Sequence, residues 1–182
     1  MEKVFVCAGM GLAKSEEINR QAAELGEMLA ENDCIYFQGG STNGLMGVTL
    51  KAFLQKSNNV RFVVPSAYYK KDVPELIKLV GSNFWAERAE TEFDRLKRMK
   101  ECDRIIVLPG GTGTLEELLY LNETSRADEH CAKIELVNID GFYNGLLDQL
   151  YKQIEEGLLN PSSIKFNVYE NVKELDFGKC KQ

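Results

Sequence analysis

RIIVLPGGTGTLEE, residues Arg104–Glu117, decides how the rest of the chain is read. Its first five residues, Arg104–Leu108, form a continuous apolar run of the kind that fits a strand covered on both faces of a parallel sheet. Pro109-Gly110-Gly111 stops that run, and the helical pattern Thr114–Arg126 begins directly after it. A strand that turns through glycines into a helix is half of a βαβ unit.

The same alternation runs outward in both directions. Upstream, strands are expected at Val4–Cys7, Cys34–Phe37 and Val60–Val64, and helices at Ser15–Glu31, Leu45–Leu54 and Phe93–Glu101. In the first helix Ile18, Ala22, Leu25 and Leu29 share one face and Ser15 is placed to cap it. Downstream, Ile134–Ile139 reads as a strand. Asn144–Glu156 reads as a helix with Leu146, Leu147, Leu150 and Ile154 inward, ended by Gly157. The segment Ser66–Glu92 carries no decisive pattern. The expected fold is α/β, a Rossmann-like doubly wound parallel sheet with helices on both faces. One nucleotide-binding domain spans residues 1–182, with a core over 4–160 and a short C-terminal extension after Asn160-Pro161.

Composition narrows the function. The 182 residues carry 22 basic and 28 acidic side chains, a net charge of −6. That opposes a nucleic-acid partner, which requires a concentrated basic face. No apolar run approaches the ~20 residues of a membrane helix. The N-terminal MEKVFVCAGMG lacks the apolar core of a signal peptide, so a cytoplasmic location is expected. Five cysteines (Cys7, Cys34, Cys102, Cys131 and Cys180) form no CxxC pair and read as reduced thiols. With His130 the single histidine, a His/Cys metal site is not expected. His130 itself reads as a surface or packing residue rather than a base, and Cys102 as core.

Ligands of open α/β sheets bind beyond the carboxyl ends of the strands. Two Gly-rich segments fall there. One is QGGSTNGLMG, with Gly39, Gly40, Ser41, Thr42, Asn43, Gly44 and Met46 as candidates. The other is PGGTGT, with Gly110, Gly111, Thr112, Gly113 and Thr114. Glycines let the backbone approach a ligand, and amides opening a helix point at an anion. Neither segment is a Walker-type loop, and Ala8–Gly11 makes a poor dinucleotide fingerprint. Glu117 has two readings that can coexist. Thr114 through Glu117 fits a capping box, and a carboxylate one turn from a phosphate loop could serve catalysis. Arg95 and Arg98 are either a solvated helix face, shared with Lys97 and Lys100, or ligands of a phosphate or leaving base.

Together these segments resemble the LONELY GUY family of nucleotide phosphoribohydrolases, whose members have often been labelled lysine decarboxylases. The likeness rests on Gly39-Gly40 through Gly44-Leu45-Met46-Gly47, on Pro109 through Glu117, and on VNIDGFYNGLLDQL at Val137–Leu150, continuing through EEGLLN. The resemblance implies hydrolysis of a nucleoside 5′-monophosphate to free base and ribose 5-phosphate, a homodimer, and no cofactor or metal. It implies a catalytic pair of Glu117 and an arginine, matched to Arg95 four residues before Met99. Lysine decarboxylation would need a Schiff-base lysine, and no lysine is singled out. Gln38, Leu96 and Thr124 replace a Gly, a Lys and a Trp of the family pattern. The spacer Ser41-Thr42-Asn43 is one residue longer, and the step from Met99 to Asp103 is one shorter. A non-catalytic nucleotide sensor or carrier, and deoxyribosyl transfer, are the alternatives on the same scaffold.

Overall fold

A computed structural model describes residues 1–178. Its elements run β1 (Lys3–Cys7), α1 (Glu16–Glu31), β2 (Ile35–Gln38), α2 (Gly44–Leu54), β3 (Val60–Pro65), α3 (Ser66–Val80), β4 (Ala86–Ala89), α4 (Glu92–Met99), β5 (Arg104–Val107), α5 (Thr112–Arg126), β6 (Lys133–Val137), α6 (Asn144–Glu155) and β7 (Phe166–Tyr169), with short 3-10 turns between some of them. The seven strands form one sheet in the order β4-β3-β2-β1-β5-β6-β7, and all pairings are parallel. The chain therefore winds outward from β1 to β4, crosses back, and winds the other way from β5. The direction reverses between β1 and β5, where a doubly wound sheet opens its crevice.

The pleat sorts side chains onto two faces. Val4, Val6, Tyr36, Phe62, Val64, Ile106 and Leu108 point to one core, shared with Ile18, Ala22, Leu25 and Leu29 of α1, and with Leu45, Leu50 and Phe53 of α2. Phe5, Cys7, Val63, Ile105, Val107 and Leu136 point to the other, against Leu96 and Met99 of α4 and Leu118 and Leu121 of α5. The apolar run of β5 is thus buried on both faces, as parallel strands require. Ser15 caps α1 by accepting the Ile18 amide at 3.3 Å. Gly157, with φ +71°, ends the chain's turn out of α6.

Several boundaries and assignments differ from the sequence reading. Ser66–Glu92 holds α3 and the edge strand β4. Pro74 lies inside α3, where proline ordinarily signals a break, and the β4 sequence AERA has no β-branched residue. The stretch after Pro161, read as an extension, supplies the edge strand β7 and buries Val172 and Leu175 in the first core. β6 stops at Val137, and Ile139–Gly141 forms a 3-10 turn with Asp140 at φ +53°. On α6 none of the four expected inward residues is fully buried; Leu146, Leu147 and Leu150 pack half-buried on the second core. Cys7, Cys34, Cys102 and Cys131 are free thiols, the first three buried; Cys180 lies outside the described residues.

Candidate functional site

At the switch point β1 and β5 end side by side. The Leu108 amide donates to the Cys7 carbonyl at 2.9 Å, and the Gly9 amide to the Pro109 carbonyl at 3.0 Å. Beyond those ends lies a cleft of about 470 Å³. Its walls come from β1 and the turn after it (Phe5–Met10), from the first Gly-rich loop (Gly39, Ser41, Met46) and from the start of α3 (Pro65, Tyr68, Asp72). Glu92 and Arg95 of α4 and Gly111–Thr114, Glu116 and Glu117 of α5 complete it.

The two Gly-rich loops behave differently. α5 begins at Thr112, with Gly111 as its N-cap and no side-chain capping bond. The first amides of a helix have no intrahelical partner, and Thr112, Gly113 and Thr114, which carry them, line the cleft, leaving them open to a ligand. Gly110 makes room for this turn: a Cβ there would lie 2.2 Å from the Thr114 hydroxyl. In the first loop, by contrast, several amides are occupied. Ser41 N–H donates to Gln38 Oε1, Asn43 N–H to Ser41 Oγ, Leu45 N–H to the Gly11 carbonyl and Met46 N–H to the Gly9 carbonyl. Gly44 is needed for contact rather than for ligand approach. Its φ is +59°, and a Cβ would sit 2.2 Å from the Met10 carbonyl carbon. Gly40, Thr42, Asn43, Gly44 and Gly110 are not brought to the cleft wall, whereas Gly39, Ser41 and Met46 are.

The expected capping box at Thr114–Glu117 does not form. The helix starts two residues earlier, and the Glu117 carboxylate turns away from its own helix to meet Arg95 of α4. That pair is largely withdrawn from water, with the Arg95 side chain 14% and the Glu117 side chain 9% exposed. Arg95 Nε also bonds the more exposed Glu92 at 2.8 Å. α4 is held in register for this contact by its own capping box, Thr91 with Asp94. Arg98 points elsewhere, pairing with Glu87 at 2.8 Å and Glu101 at 2.6 Å on the surface, and does not line the cleft. His130 bonds the Leu121 carbonyl at 3.0 Å, also away from it.

The electrostatics are uneven. Burial pushes the Glu117 carboxyl above its ordinary value of 4.5; Arg95, and the thiol of Cys7 lying against the same carboxylate, pull it back by less. Burial and then the Glu117 charge drive the Cys7 thiol well above its usual range, so it stays a neutral donor. Burial works against the Arg95 charge, but Glu117 and Glu92 outweigh it and hold the guanidinium protonated. Four carboxylates (Asp72, Glu92, Glu116 and Glu117) and one guanidinium line the cleft. An anionic ligand would therefore depend on the open amides and dipole of α5 rather than on side-chain charge. Among the described residues no cluster of three or more His, Cys, Asp or Glu is placed to hold a metal ion. No described helix is long and apolar enough to cross a membrane.

The profile of a family described as "Possible lysine decarboxylase" matches residues 28–175. This chain is a member of that family, the LONELY GUY family. Two relatives from Arabidopsis thaliana named cytokinin riboside 5′-monophosphate phosphoribohydrolase are 29% and 30% identical. They cover 96% and 98% of this chain, and 79% and 84% of their own lengths. A probable enzyme of the same name from Oryza sativa is 31% identical over 94% of this chain and 74% of its own. Among solved structures, the molybdenum cofactor binding protein of Rippkaea orientalis superimposes with a TM-score of 0.63 at 16% identity, covering 94% of this chain and 91% of that one. The molybdenum cofactor carrier protein of Chlamydomonas reinhardtii gives 0.63 at 15%, covering 95% and 92%. These structural likenesses establish that the LONELY GUY chain shares its fold with such proteins.

Proposed function

We propose that this chain is a nucleoside 5′-monophosphate phosphoribohydrolase, cleaving the N-glycosidic bond to give free base and ribose 5-phosphate. The observation that carries the reading is the buried Arg95–Glu117 pair at the cleft wall, one helical turn behind the open amides of α5. The names of the curated relatives support it. The phosphate would sit on the amides and hydroxyls of Thr112–Thr114, with Gly39, Ser41 and Met46 shaping the sugar's side of the cleft. That remote grip orients the ribose. Glycosidic cleavage passes through an oxocarbenium-like state. Glu117, ionised, would stabilise the developing positive charge or position the attacking water, and Arg95 would hold Glu117 and assist the departing base. Arg98, Thr42, Asn43, Gly40, Gly44 and Gly110 would serve the scaffold rather than the ligand. The side chains supply this chemistry without a cofactor. No lysine is among the cleft-lining residues, so a Schiff-base decarboxylation has no anchor there.

The active form would be a homodimer closed about a two-fold axis. Phe93 on α4 and Leu119 on α5 are 61% and 40% exposed, and both flank the cleft-bearing helices, with Phe93 packed edge-on against Tyr120. The function is tested by incubating the protein with the common nucleoside 5′-monophosphates and their unphosphorylated nucleosides, with free base detected by chromatography. Release of base from monophosphates but not from nucleosides is expected. Binding without cleavage would replace this reading with a nucleotide carrier or sensor, and release only in the presence of an acceptor base would replace it with transfer.

A further inference from the structure

α3 brings two side chains to the cleft that the rest of the protein leaves unused. Tyr68 and Asp72 stand four residues apart, so they share one face of the helix, and both line the cleft. Tyr68 keeps 46% of its surface exposed. Asp72 is half-buried and, unlike Glu92 and Glu117, has no hydrogen bond or ion pair with the described residues, even though Lys70 and Lys71 precede it. A carboxylate at the cleft wall that is engaged by no other part of the protein is free to accept from a ligand bearing N–H donors, exchanging water for the ligand.

The sheet order sets where such a ligand group would lie. The open amides follow β5, Cys7 ends β1, Gly39 follows β2, and Pro65 leads from β3 into α3. From β5 to β3 are three strand spacings, about 14 Å at ~4.8 Å each. That is the reach of a nucleoside monophosphate, phosphate at one end and base at the other. With the phosphate on α5 and the sugar beside Glu117, the base arrives at α3.

We propose that Tyr68 and Asp72 read the base and that they select guanine. A carboxylate only accepts, through two oxygens. Guanine presents two adjacent, parallel donors, N1–H and an N2–H, which meet both oxygens as a guanidinium fork does. Adenine and cytosine each offer one amino N–H beside a ring-nitrogen lone pair, and uracil offers N3–H between two carbonyls. In each of those bases a lone pair faces the second carboxylate oxygen. Tyr68 supplies a ring face on which any base can stack.

This assignment rests on the nucleotide reading of the cleft, and its test separates the two. Affinities for GMP, IMP, AMP, CMP and UMP are measured by calorimetry, and kcat/KM for each by base release, on the parent, Asp72→Asn and Tyr68→Leu proteins. The parent should favour GMP over AMP by about 10- to 100-fold, the discrimination that a bidentate base contact supplies. IMP, lacking the N2 amino group, should fall between them. Asp72→Asn offers one donor and one acceptor, so the GMP preference should collapse or turn toward AMP. Tyr68→Leu should weaken all five nucleotides by a similar factor. Nucleotides bound or cleaved with no GMP preference, or a preference untouched by Asp72→Asn, would overturn the base assignment alone. Failure of all five nucleotides to bind would overturn both this assignment and the function it rests on.

Discussion

Replacing Arg95 with alanine removes one partner of a pair in which the other, the Glu117 side chain, is only 9% exposed. The second partner of Arg95, Glu92, is 51% exposed and its bridge contributes about 0–1 kcal/mol. The cost therefore comes from Glu117, left charged beside a thiol. Breaking a buried pair from one side costs about 3–5 kcal/mol. At roughly 2–4 °C per kcal/mol for a chain of this length, Tm should fall by about 6–20 °C at pH 7. The loss depends on pH, and its sign follows from Glu117. Its folded carboxyl is raised above the ordinary 4.5, so its contribution to stability is most favourable at low pH. That contribution is lost as pH rises from 4.5 through the raised value. Arg95 pulls that value down. Without it, the deficit against the parent should widen toward neutral pH and narrow in acid, where Glu117 is protonated. Denaturation of the parent, Arg95→Ala and Arg98→Ala proteins across that range measures this directly. Arg98, 44% exposed, should cost about 0–1 kcal/mol at any pH. Adding Glu117→Gln to Arg95→Ala should restore part of the stability. An Arg95→Ala protein no less stable than Arg98→Ala at pH 7, or one whose deficit is flat with pH, would refute the buried-pair argument.

Two further expectations concern activity and assembly. If ionised Glu117 is required, the acidic limb of kcat/KM should lie above 4.5, and Cys7→Ala should move it further up because the thiol now lowers the carboxyl; a limb at or below 4.5 would contradict this. Sedimentation should show twice the 20.6 kDa chain mass, and Phe93→Glu should drive it toward monomer; a parent that is monomeric at micromolar concentration would dismiss the dimer.

The core of the sheet was legible because buried parallel strands and amphipathic helices announce themselves by period and composition. β1, β2, β3 and β5 lie where their apolar runs stand, and α1 lies where Ile18, Ala22, Leu25 and Leu29 repeat. The edges were not. β4 and β7 are edge strands, short and partly polar, and α3 buries only Leu76 and carries Pro74. Periodicity is faint where one face or one edge meets water. The same blindness hid Tyr68 and Asp72, which reach the cleft from that segment. Cys7 was read only as one of five reduced thiols, because a strand pattern does not say which alternate residue ends beside a carboxylate. Glu117 was visible as a candidate, but its local partner was misjudged. Thr114 three residues earlier suggested a cap, while the contact that forms is with Arg95, 22 residues away. In the first Gly-rich loop, Gly44, which suggested a phosphate cradle, is there because α2 seats on Gly9–Gly11, and Gly40 because the loop packs against Val64.

Glu117→Gln tests the central claim most directly. The substitution keeps the side chain's size, leaves Arg95 its bond to Glu92, and disturbs no cap, since Glu117 caps nothing. Rates of base release and nucleotide affinity are to be measured together on the parent and the variant. The account predicts that hydrolysis falls by ~10²-fold or more, as when a preorganised electrostatic group is lost. Nucleotide affinity should change little, because the phosphate rests on backbone amides of α5. A Glu117→Gln protein that hydrolyses nucleoside monophosphates at the parent rate would contradict it.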